Sequence, residues 1–206
     1  VYLDAMSSET SETRDRILDA AWTLIEERAG SGVRMSDIAK QAGISRQAVY
    51  LHFPTRAELL VAVTRHIDRI KDTEKRLEAS RNAAGGIERL DAFIDAWGNY
   101  IPEIHGVARA LIAMKDTDAA AAAAWEDRMQ AVRHGCEAAV KALDEDGLLR
   151  PESTLRQSTD ILWTLLSVAN WEQLTGACGW SQAQYIEQMK SLARAGLLSR
   201  EAEQHG

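Results

Sequence analysis

The chain has 206 residues, 46% apolar and 27% charged, which suits one large soluble domain or a small and a medium one. Its formal charge of −7 at first argues against a polyanionic partner, and its two cysteines, Cys136 and Cys178, have no CxxC or histidine partner at metal spacing. No apolar run reaches the roughly 18 residues of a membrane span and no leader pattern opens the sequence, so a cytoplasmic protein with reduced, packed thiols and no membrane association is expected.

The charge is unevenly spread. Residues 1–12 carry three acids and no base; residues 13–76 carry 12 Lys+Arg against 9 Asp+Glu; the remainder carries 12 against 19. A net positive segment can meet phosphate while the acidic remainder keeps the protein off generic polyanions. Only Pro54, Pro102 and Pro151 interrupt helix formation. The expected class is all-α, with about nine helices.

Residues 1–10 read as a flexible arm. Ile17, Leu18, Ala21, Leu24 and Ile25 follow a helical period, with Ser11 or Thr13 as a possible cap. Short helices follow over about Met35–Ala42 and Ser45–His52, separated by Gly43. Thr55 to Glu58 reads as a capping box opening a long helix that ends near Ser80. Residues 82–86 form the softest break. Ile87, Leu90, Ile94, Trp97 and Ile101 form the next stripe, stopped by Pro102, and a shorter helix covers Ile104–Lys115. The stripe Trp125, Met129, Val132, Cys136, Ala139 and Leu143 ends at Gly147, a left-handed cap candidate. Ser153 caps a helix to Gly176, and Ser181 with Gln184 opens the last one.

The informative stretch runs from Ser36 to Tyr50. A helix-turn-helix needs two short helices crossing steeply. Here Ala39 permits close approach, Gly43 supplies positive φ, and Ile38, Ile44 and Val49 pin the pair. Ser45 caps the second helix, leaving its amino end outward, where a recognition helix meets the major groove.

Ile38-Ala39-Lys40-Gln41-Ala42-Gly43-Ile44-Ser45, followed by Tyr50-Leu51-His52-Phe53-Pro54-Thr55-Arg56-Ala57-Glu58-Leu59, resembles the signature of the tetracycline-repressor (TetR) family of transcriptional regulators. One departure is Arg34, where the family commonly has a threonine cap; Ser36 is then expected to shift the start of that helix, leaving Arg34 for phosphate. The resemblance implies a three-helix DNA-binding domain over residues 1–56 and a helical ligand-binding and dimerisation domain over 57–206. It implies that Arg46 and Gln47 read bases, while Tyr50 and His52 contact phosphates with Ser45, Ser36, Arg34 and Arg56 in support.

It further implies a homodimer through the last two helices, a near-palindromic double-stranded operator, and a small apolar or aromatic ligand whose binding releases a repressor from DNA. Trp97, Tyr100, Trp125, Met129, Trp163, Leu166 and Asn170 would line the ligand cavity, with Asn170 as polar anchor and His105 as a further hydrogen-bonding group. The alternative is a helical ligand-binding or scaffold protein whose head does not read DNA. No catalytic, cofactor or metal motif is present, so an enzyme is not expected.

Overall fold

A computed structural model describes residues 2–28 and 32–199, with side chains from Ser11 onward. The described residues are all-α, without a strand; one isolated antiparallel bridge joins Leu149 and Leu198. The helices are α1 (Tyr2–Glu27), α2 (Met35–Ala42), α3 (Arg46–His52), α4 (Arg56–Ile70), α5 (Thr73–Arg76), α6 (Glu78–Arg81), α7 (Gly86–Met114), α8 (Ala119–Glu145), α9 (Leu155–Leu165), α10 (Val168–Glu172) and α11 (Gln182–Leu197), with a π-helical turn over Gln173–Ala177.

Two compact units emerge: Val1–Lys71 with Ile104–Arg128, and Asp72–Glu103 with Met129–Gly206. In the first, Ile17, Leu18, Ala21 and Ile25 of α1 share one core with Ile38, Val49, Leu59, Leu60 and Val63, joined by Val107, Leu111, Ala121 and Ala124. The apolar period recognised in α1 is therefore its buried face. In the second, the buried side chains include Leu90, Ile94, Ile101, Val140, Leu143, Leu162, Tyr185, Ile186 and Met189.

Several expected boundaries move, each for a local reason. α1 begins at Tyr2 and runs through the positions expected as an arm, because neither Gly nor Pro occurs before Gly30; Ser11 and Thr13 are thus interior, not caps. The helix expected to reach Ser80 ends at Ile70, which is 58% exposed, so its apolar stripe has run out. Asp72 then takes a left-handed φ of 53°, which Asp tolerates better than most residues, and the short α5 and α6 follow.

The expected stop at Pro102 is absent: α7 is continuous through it. Proline lacks the amide that would bond the Gly98 carbonyl four residues back. The Gln182 side chain supplies the missing donor, its Nε2 reaching Gly98 O at 2.7 Å, while its Oε1 accepts from Trp171 Nε1 at 2.9 Å. The break at residues 82–86 is a close approach: a Cβ on Gly86 would lie 2.7 Å from the Leu143 backbone nitrogen, and the Gly86 amide donates to Asp146 at 2.6 Å.

The expected helix from Ser153 to Gly176 is instead capped by Thr154 and interrupted after Leu165. Ser167 starts α10 by accepting from the Asn170 amide. Cys136 is buried, and burial pushes its thiol up to about 12; Cys178, expected to pack, is exposed. Gly147 adopts φ 69° after α8, as its position suggested. None of the described helices is long and apolar enough to cross a membrane.

Candidate nucleic-acid interface

The α2–α3 turn is fixed by its own residues. Gly43 adopts φ 68°, its amide donates to Lys40 O at 3.2 Å, and the Ile44 amide donates to Ala39 O at 3.0 Å. This double closure is a Schellman ending, and only a residue without a Cβ makes it cheaply. Ser45 then caps α3, its Oγ accepting from the Ala48 amide at 3.1 Å. Val49 is fully buried, with Ile44 packed against the same core. Apolar groups flanking the cap on both sides fix the direction in which the helix leaves the turn.

α2 starts without help from a side chain. Arg34 is its N-cap in extended conformation and makes no capping bond, so the helix start does not shift to Ser36. Val33 and Ile38, the positions of a hydrophobic staple, are both buried and hold the entry instead. Arg28 adds a link from the end of α1, 2.6 Å from Asp37, and that guanidinium holds the Asp37 carboxyl below its ordinary range.

α3 therefore leaves a defined face outward. Arg46, Gln47, Tyr50 and Leu51 are exposed, while His52 is half-buried. The Arg46 guanidinium lies 5.5 Å from the Tyr50 ring centroid and donates to Tyr50 Oη at 3.4 Å. Arg34 and Ser36 are exposed, and the Ser45 hydroxyl is engaged in its cap. Arg56 is not brought to this face. Its Nε donates to Val33 O at 2.7 Å and its Nη1 pairs with Asp118 at 2.5 Å. Asp118 also accepts from the Ala120 and Ala121 amides at the start of α8.

Two residues of this region were not identified from sequence. Leu51 is 80% exposed, and only its place four residues after Gln47 could have pointed to it. Arg14 of α1 sits over the Phe53 ring at 4.8 Å, a contact between positions far apart in sequence and without a sequence signal.

Comparison with known proteins adds a family likeness for the N-terminal segment. The pattern of "Bacterial regulatory proteins, tetR family" matches residues 17–63, the span that builds α1 through most of α4. This N-terminal segment carries the TetR-family pattern. Its curated relatives include the HTH-type transcriptional regulator SrpR of Pseudomonas putida, 42% identical over 57 residues, 28% of this chain and 27% of that protein. Another is UidR of Escherichia coli, an HTH-type transcriptional regulator, 30% identical over 110 residues and 53% of each chain.

The chain thus matches between about a quarter and a half of the length of these relatives. Among solved structures, NalD, the secondary repressor of the MexAB-OprM multidrug efflux pump in Pseudomonas aeruginosa, has a TM-score of 0.67 at 21% identity, over 94% of this chain and 99% of that one. At that identity the likeness is one of fold.

The residues expected around a ligand are distributed over the two units. Trp97, Tyr100 and Leu166 are buried in the second unit; the Trp97 and Tyr100 rings are 6.1 Å apart, and Trp97 Nε1 donates to Leu166 O at 2.7 Å. Met129 and Trp163 are half-buried there, with Arg133 5.5 Å from the Trp163 ring. Asn170 donates to Thr164 O at 2.7 Å and Leu165 O at 3.3 Å, so its amide closes the end of α9. His105 and Trp125 belong to the first unit, where Trp125 packs against the core.

Proposed function

We propose that this chain is a sequence-specific DNA-binding transcriptional regulator acting as a repressor, released from its operator by a small apolar or aromatic molecule. The observation that carries the reading is the outward set Arg46, Gln47 and Tyr50 on a helix whose entry is locked by Gly43 and Ser45. Arginine can pair with guanine O6 and N7, and glutamine with adenine N6 and N7; exposed Tyr50, Arg34 and Ser36, with half-buried His52, suit phosphate contacts that set register. The net positive charge of residues 13–76 supports the same partner.

Regulation follows from two further expectations. Exposed Ile161 on α9 and Leu192 on α11 support a homodimer through the last helices. A twofold dimer presents two copies of α3 about 34 Å apart to a near-palindrome. Of the residues expected to meet the ligand, which also include His105, Trp125 and Asn170, those of the second unit that lie near Trp97 are Tyr100 and Leu166, with Met129 and Trp163 half-buried in the same unit. A ligand shifts the DNA-bound state only by its differential affinity for the two states.

Selection of duplexes from a randomised pool tests the reading. Repressor-type binding enriches a near-palindrome bound by two copies, and Arg46→Ala and Tyr50→Ala proteins, folded by circular dichroism, lose it. Enrichment of nothing, or equal retention of all DNA, would favour a helical binding or scaffold protein whose head does not read DNA.

A further inference from the structure

We propose that Leu51 is a specificity-determining residue, packing on the C5-methyl group of a thymine beside the base met by Gln47. This rests on the reading of α3 as the recognition helix. Leu51 is the most exposed large apolar side chain among the described residues, at 80%, while Val49 anchors the opposite side of its helix in the core. A lone exposed leucine is ordinary on a protein surface. Its position distinguishes this one.

The exposed face of α3 consists of two pairs spaced four residues apart, Arg46 with Tyr50 and Gln47 with Leu51. The first pair is polar and internally bonded, through the 3.4 Å contact between Arg46 and the Tyr50 hydroxyl. The second pair places an apolar group directly behind a glutamine. Leucine has neither donor nor acceptor, so it can bond neither a phosphate oxygen nor a polar base edge. The apolar group displayed on the major-groove edge of B-form DNA is the thymine methyl. A glutamine pairing with adenine and a leucine covering a neighbouring thymine methyl give this pair one consistent role.

The test uses the full chain and a duplex selected by the wild-type protein, in which each thymine is replaced singly by deoxyuridine, which lacks only that methyl. At one thymine per half-site, the replacement weakens wild-type binding by about fourfold to tenfold, the scale expected for one buried methyl. The Leu51→Ala protein binds the unmodified duplex correspondingly more weakly and is indifferent to that replacement, while Leu51→Met retains the sensitivity. The inference is overturned if wild-type binding is specific yet the Leu51→Ala protein responds to every deoxyuridine position as wild type does. Absence of any sequence-specific wild-type binding overturns the underlying reading as well, so the two failures are separable.

Discussion

The junction between α2 and α3 and the junction between α9 and α10 each turn one helix into another within two or three residues, and each ends on a capping serine, Ser45 or Ser167. The first is closed by groups within six residues of one another: the Gly43 and Ile44 amides on α2 carbonyls, and the Ser45 hydroxyl on Ala48. The second also uses local groups, through Asn170, but its Leu166 carbonyl is met by Trp97, 69 residues away. Likewise, the Gly98 carbonyl freed by Pro102 is met by Gln182, 84 residues away. A segment that folds by its own rules can present a surface independently of what happens elsewhere. A segment completed by distant side chains responds to whatever moves them.

Trp97→Phe strikes the second region hardest. It keeps an aromatic ring but leaves the buried Leu166 carbonyl without its donor, and urea unfolding should report a loss of about 2–3 kcal/mol. Hydrogen exchange should rise around residues 165–168 and stay unchanged in α2 and α3. Equal loosening of α3 would erase the contrast between the two regions.

Gly43→Ala probes the local junction. No atom crowds a Cβ there, so the cost comes from backbone conformation alone, about 1–2 kcal/mol. Its signature is an altered α2–α3 angle and weaker specific DNA binding. A destabilised protein with intact DNA specificity would mean that the turn does not aim α3.

A smaller effect comes from one of the long-range ties of the first unit, Arg56 with Asp118. Burial raises the Asp118 carboxyl, but the Arg56 hydrogen bond and the amides of Ala121 and Ala120 outweigh it, leaving Asp118 below its ordinary value of 3.8. A depressed carboxyl stabilises the fold above its unfolded value and loses that contribution as pH falls through its folded value. Asp118→Asn should therefore cost about 1 kcal/mol near neutral pH and flatten the fall in stability below pH 3.8. An unchanged acid limb would remove Asp118 from the account.

The same contrast explains what could be read from sequence. α2, α3, Gly43, Ser45, Thr55 and the Ser181–Gln184 capping box are legible because each depends on residues a few positions apart. The continuity of α7 through Pro102 was hidden because its remedy, Gln182, lies on another helix. The interruption after Leu165 was hidden because a smooth apolar period masks Ser167 as a second cap. Arg56 carries a motif position yet turns inward, because its partner Asp118 lies 62 residues away, at the start of α8. Asn170 looked available for a ligand because periodicity fixes a face, not the carbonyls that a local break exposes.

The most direct measurement is the ratio of affinities for a selected duplex and a scrambled duplex of equal length, at one salt concentration, for wild type and for the Arg46→Ala/Gln47→Ala protein. If the outward face of α3 reads sequence, the double variant loses roughly tenfold to a hundredfold per side chain on the selected duplex and binds the scrambled one nearly as before. A ratio equal to that of wild type, in a protein that remains folded, would contradict it.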